Sequence, residues 1–160
     1  MSWTTWTPTA VASEARPWEG LAWRMVEAQH VASTMKLVDG ADEQDLLERL
    51  LETSKPPRAD GTAALHYLLA TPFRYSPARG GSRFRAAHDP GVFYGAESVR
   101  TACMELGYWR WRFLMGAPAL QSLAPLPFTA SAARIATTCV DLREPPFDVD
   151  AGAWRHSDDY

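Results

Sequence analysis

Apolar residues recur every three or four positions between Gly20 and Val38, at Leu21, Met25, Ala28, Ala32 and Met35, and that spacing predicts a helix. Asp39-Gly40 closes it, because glycine takes the left-handed cap at no steric cost. A second helix is predicted from Asp42 to Thr53, with Leu46, Leu47, Leu50 and Leu51 as its stripe. Acids crowd its first turn, as the helix dipole favours, and Lys55-Pro56-Pro57 ends it. Together the two segments predict a helical hairpin. After a polar connection at Arg58–Gly61, Thr62 is positioned to cap a third helix, Ala63–Leu69, which Thr71-Pro72 closes.

The texture changes after Pro72. Short apolar runs bounded by Gly and Pro predict strands at Phe73–Tyr75, Val92–Gly95 and Ile135–Leu142. The longest helix is predicted from Ser98, as N-cap, to Leu114, before Gly116 and Pro118. Its face of Val99, Ala102, Cys103, Leu106 and Phe113 is expected to pack on the sheet. Residues 1–19 read as an irregular strap whose indoles, Trp3, Trp6 and Trp18, serve packing. Residues 143–160 read as loop or an incomplete element.

Composition narrows the class. With 160 residues and 46% hydrophobic content the chain is long enough for one domain with its own core. A net charge of -3 argues against a dedicated nucleic-acid binder, whose domain is usually strongly basic. Two cysteines without a basic and apolar leader predict reduced thiols and a cytoplasmic location. No apolar run is long enough to predict a membrane span. The charge is unevenly spread, however. Seven Arg and three acids lie between Arg74 and Arg112, so a basic, aromatic, glycine-containing island sits in an acidic chain. Such an island suits an anionic ligand with a flat ring.

The candidate chemistry lies in that island. Ala78-Arg79-Gly80-Gly81-Ser82-Arg83-Phe84-Arg85 has the glycine pair and guanidiniums that can grip phosphate oxygens, and reads equally as a solvated turn. It has neither the Walker nor the Rossmann spacing. Glu105 lies on its helix beside Thr101, Tyr108 and Arg112, with no cation four positions away to account for it. Cys103 is expected to be buried, and the four scattered histidines predict no zinc site. The run Tyr108–Phe113 alternates aromatics and cations, and is expected to pack with its arginines snorkelling. It also leaves open a second reading, a non-catalytic or RNA-binding module.

Taken together, Phe73-Arg74-Tyr75, Gly81-Ser82-Arg83-Phe84, Val92-Phe93-Tyr94-Gly95-Ala96-Glu97-Ser98, Thr101-Ala102 and Glu105 resemble the RES-domain family, toxins of bacterial RES–Xre toxin–antitoxin pairs. The resemblance implies an α+β, ADP-ribosyltransferase-like fold with mixed sheets around an NAD⁺ cleft. It makes residues 1–160 a single RES domain, with 20–70 as a helical extension and 73–142 as the NAD-binding core. It further implies cleavage of the nicotinamide–ribose bond of NAD⁺, without a metal, and transfer of ADP-ribose to a protein, phosphate or water. Arg74 and Glu105 match the arginine and glutamate of the family name and, with Tyr94, are the implied catalytic residues; Tyr75 and Arg83 join them in binding NAD⁺. The named serine belongs to a segment further downstream than this chain is expected to reach. Ser157 lies outside any matching motif, so that role is not carried over. Arg85 also departs from the small polar residue often found there. The implied partner is a cognate Xre-type antitoxin, through which alone nucleic acid is engaged.

Overall fold

The computed structural model describes residues 6–28, 33–75, 84–87, 89 and 91–156. Its elements are α1 (Pro8–Ser13), β1 (Arg16–Glu27), a 3-10 turn (Ser33–Lys36), α2 (Ala41–Ser54), α3 (Tyr67–Arg74), α4 (Val99–Met115), β2 (Phe128–Cys139), a second 3-10 turn (Asp148–Asp150) and α5 (Ala151–Trp154). The fold is mixed α+β. β1 and β2 pair as a two-stranded sheet. The Ala28 amide, just past the end of β1, bonds the carbonyl of Pro127, just before β2, so the strands run antiparallel.

The segment expected to be the first helix is a strand over Arg16–Glu27 followed by a 3-10 turn, so there is no helical hairpin and residues 20–70 are not an all-helical extension. Two influences override the local spacing. Trp18, Trp23 and Val26 favour the pleated conformation, and β2 supplies hydrogen bonds that no single helix needs. The helical spacing also rests on Ala28, just past the strand, and on Ala32, which lies outside the described residues. Pro17 sits at the second position of the strand, where a missing amide is tolerated.

Other expectations hold more closely. α2 runs one residue beyond its predicted bounds at each end, with Asp42 and Glu43 in its first turn. Its leucine stripe is uncovered: Leu46, Leu50 and Leu51 are exposed. α3 begins at Tyr67 rather than Ala63. Thr62 is not its cap; the hydroxyl is buried and donates to the Ala59 carbonyl at 2.7 Å. His66 caps the helix instead, its Nδ1 accepting from the Leu68 amide at 3.3 Å. Pro72 lies inside the helix, which ends two residues later, so Phe73 and Arg74 are helical and not a strand. Residues 92–95 likewise form no strand; only Ala96 makes an isolated antiparallel bridge, to Trp23. The last predicted strand starts earlier, at Phe128, and ends at Cys139.

The chain divides into two compact units. One comprises residues 1–21, 76–90 and 134–160. Within it the Trp6 indole donates to Asp150 Oδ2 at 2.8 Å and meets the buried Phe147 ring edge-on at 4.9 Å, so this strap residue does serve packing. Part of the strap, however, is the helix α1, capped by Thr7 and opened by Pro8. The other unit comprises residues 22–75 and 91–133 and contains the candidate site except Arg83. Among its described residues the buried apolar ones are small: Ala70, Ala102 and Ala133.

Candidate active site

Glycine 91 decides the local geometry. A Cβ at this position would stand 2.1 Å from the Pro72 carbonyl oxygen and 2.7 Å from the Phe73 Cα, so the chain here lies directly on the last turn of α3. Arg74 is the next residue of that turn. At the far end of the same segment Ala96 and Trp23 exchange backbone hydrogen bonds of 2.7 and 2.8 Å. Gly95 lies against Ala22, and the Arg24 guanidinium stands 5.8 Å above the Phe93 ring. Tyr94 is therefore carried on a short segment clamped at both ends, between α3 and β1. Its ring is exposed, as is that of Tyr75, the C-cap of α3.

Arg74 is held from two directions. Its Nε donates to the Pro56 carbonyl at 2.6 Å and its Nη1 to Glu52 Oε1 at 2.8 Å. The second Glu52 oxygen accepts from Lys55 Nζ at 2.8 Å. Lys55, and then Arg74, hold the Glu52 carboxyl down from 4.5 to about 2. The arginine side chain is only 15% exposed against 50% for Glu52, so the cation is the more enclosed partner. Nothing in the sequence marks Glu52, which sits outside the basic island, 22 residues before Arg74, and looks like any acid near a helix end.

Glu105 is carried by α4. Ser98 starts that helix as predicted, its Oγ accepting from the Thr101 amide at 3.1 Å, and the Gly116 amide closes it on the Arg112 carbonyl. The Glu105 carboxylate is exposed and forms no hydrogen bond or ion pair among the described residues. On the same face Arg112 Nη1 donates to the Tyr108 hydroxyl at 3.3 Å, and the guanidinium stacks 5.5 Å from the Trp109 ring. No hydrogen bond or ion pair joins Arg74 to Glu105. Arg83, with the glycine pair beside it, lies outside the described residues.

Three expectations on α4 are overturned. Cys103 is exposed rather than buried, with its Sγ 3.6 Å from Met25 Sδ of β1. Of the predicted packing face only Ala102 is buried, while Val99 and Phe113 are exposed. The aromatic run is not packed away either: Tyr108, Trp109, Trp111 and Phe113 all remain exposed. Arg110 is the exception, lying 5.6 Å over the Phe128 ring and donating to the Ala124 carbonyl at 3.0 Å.

In the other unit Arg85, which departs from the family pattern, is buried, and its Nη2 donates to the Asp89 carbonyl at 2.6 Å. Phe84 beside it has φ 66°, a left-handed conformation uncommon for an aromatic residue. Among the described residues no group of three or more His, Cys, Asp or Glu could hold a metal ion. None of the described helices is long and apolar enough to cross a membrane.

What these features belong to is decided by the family comparison: the model of the RES domain matches residues 55–160. The chain belongs to the RES-domain family. The RES match takes in α3, the clamped 91–96 segment and α4, and with them Arg74, Tyr75, Arg83, Tyr94 and Glu105. It begins just after Glu52. The RES domain is associated with NAD-related toxin function, which makes an NAD-utilising enzyme the general reading of this chain. No curated protein matches the chain.

Proposed function

We propose that this RES-domain protein is a toxin that consumes NAD⁺, cleaving the nicotinamide–ribose bond and passing ADP-ribose to an acceptor: a protein, phosphate or water. The observation that carries the reading is the seating of Gly91 on Pro72–Phe73, which puts the Tyr94 segment beside the turn that ends in Arg74, all inside the RES match.

The residues suit that chemistry. Arg74, held through Nε and Nη1, keeps three of its five N–H groups for other acceptors, and a guanidinium fork fits the paired oxygens of a diphosphate. The exposed rings of Tyr75 and Tyr94 are rigid, with two rotatable bonds each, and offer faces on which a nicotinamide or its ribose can rest. Cleavage of the C–N bond sends its electron pair to nicotinamide, which leaves neutral, and positive charge develops on the ribose as in glycoside hydrolysis. A carboxylate stabilises that charge best when no nearby cation already neutralises it. Glu105, exposed and without an ion pair among the described residues, is the carboxylate of the site that fits this role. The acceptor then adds to the anomeric carbon and loses a proton to solvent or to a carboxylate. A cognate Xre-type antitoxin would oppose the activity by covering these residues.

Nicotinamide release from NAD⁺ by purified protein tests the reading. Glu105→Gln is expected to lower the rate at least about a hundredfold, the usual cost of losing one preorganised electrostatic partner. Asp45→Asn, on the outside of α2, is expected to leave it unchanged. Absence of release by the parent protein, or release by Glu105→Gln at the parent rate, overturns the assignment.

A further inference from the structure

The geometry points to Glu52, a residue before the RES match, as the positioning residue that aims Arg74 at the diphosphate of the substrate. The inference rests on the NAD⁺ reading above and adds to it a part for α2, which carries Glu52 near its C-terminal end.

An arginine on the last turn of a helix has several rotatable bonds, and fixing its fork costs entropy that must be met before a ligand arrives. Two acceptors meet that cost here. The Pro56 carbonyl takes Nε and Glu52 takes Nη1, at 2.6 and 2.8 Å, which fixes the plane of the guanidinium from two directions. Nη2 makes no hydrogen bond among the described residues and is left for an incoming anion. The Pro56 carbonyl is itself constrained, because the chain leaves α2 through Lys55-Pro56-Pro57, where prolines restrict the backbone.

A carboxylate beside an anion-binding arginine would ordinarily weaken it by cancelling its charge. The Lys55 ammonium removes that objection. Lys55, Glu52 and Arg74 form a line in which one acid lies between two cations, so the group retains a net charge of about +1 while the acid is fully engaged. The depressed Glu52 carboxyl keeps the acceptor ionised across the physiological range. The division of exposure agrees with this order of roles. Arg74 is the enclosed member, while Glu52 and Lys55 face solvent and serve as its support. The order also explains how a segment outside the RES match can matter to a site within it: the contact is made by side chains only, through an acid three residues before the match begins.

The test uses the full chain and two readouts: calorimetric binding of ADP-ribose and of inorganic pyrophosphate, and the kinetics of nicotinamide release. Glu52→Ala is expected to weaken ADP-ribose binding and to raise KM for NAD⁺ about tenfold, with kcat within about twofold of the parent, because Arg74 holds the substrate and does not react. Glu52→Asp is expected to recover part of the loss, since a carboxylate remains within reach. Circular dichroism and the urea midpoint check that the variants are folded, and a fall in kcat and in the midpoint with KM and ADP-ribose affinity unchanged marks Glu52 as merely structural and overturns the inference. Binding by Glu52→Ala as tight as the parent's, or tighter, also overturns it and makes Glu52 a competitor of the substrate. If the parent neither binds ADP-ribose nor releases nicotinamide, the NAD⁺ reading fails and this inference with it. If the parent does either and Glu52→Ala matches it, only the positioning role falls.

Discussion

Gly91→Ala and Gly107→Ala are the same chemical change with opposite expected signs. At Gly91 the added methyl carbon would lie 2.1 Å from the Pro72 oxygen, 2.7 Å from the Phe73 Cα and 2.9 Å from the Pro72 carbonyl carbon. Real Cβ atoms essentially never come within 3.0 Å of an atom beyond their own and adjoining residues, and all three neighbours are backbone, which cannot swing aside as a side chain can. The 91–96 segment and the end of α3 must part by roughly 1 Å, and overpacking of this kind costs about 3 kcal/mol, the upper end of its usual range. At Gly107, in the middle of α4, nothing lies within 4 Å of the new methyl. Alanine there removes backbone freedom from the unfolded chain and stabilises by about 0.5–1 kcal/mol. Urea unfolding of the two variants and the parent separates the cases. With m of about 2 kcal/mol/M, Gly91→Ala lowers the midpoint by roughly 1.5 M and Gly107→Ala raises it by a few tenths. A Gly91→Ala midpoint within about 0.3 M of the parent would refute the close approach of Tyr94's segment to α3, and with it the geometry on which the candidate site depends.

Two further outcomes follow from the same structure. Because the Glu52 carboxyl is lowered from 4.5 to about 2 and that of Asp141 from 3.8 to about 2 by Arg143, their stabilising effect is complete above their unfolded values and disappears as pH falls through about 2. Carbon-detected NMR titration should place both midpoints near 2, with Glu52 moving back towards 4.5 in Lys55→Ala; a parent midpoint near 4.5 contradicts the ion pairs. Ser98→Ala removes the cap of α4 and is expected to cost about 1 kcal/mol in urea unfolding, and no change in stability would mean that the Thr101 amide finds another acceptor.

Legibility in the sequence followed the reach of the forces involved. α2 and α4 were read almost to the residue because capping serine, acidic first turns and terminal Pro or Gly act within one helical turn. β1 has helical spacing yet is a strand because its partner, β2, lies a hundred positions away, and no local window contains the pairing that selects the strand. The third helix slipped because His66 and Thr62 compete as caps, and Thr62 is drawn into a turn with Ala59. Of the candidate site, the motif residues were legible through their resemblance to the RES family, whereas Glu52 was not, since its only distinguishing property is what it touches. The burial expected for Cys103 failed for a different reason. A period of 3.6 gives the direction of a side chain but not whether anything stands opposite it.

The antiparallel pairing of β1 with β2 also governs how this protein is made. β1 ends at Glu27 and β2 begins at Phe128, so on a ribosome adding about 5–20 residues per second the first strand waits roughly 5–20 s for its mate. For that interval the side of this aromatic strand that will face β2 has unpaired amides and carbonyls, a template for any other extended chain nearby. Newly synthesised copies are therefore most prone to association before residue 139 has emerged, and slow translation lengthens the exposure.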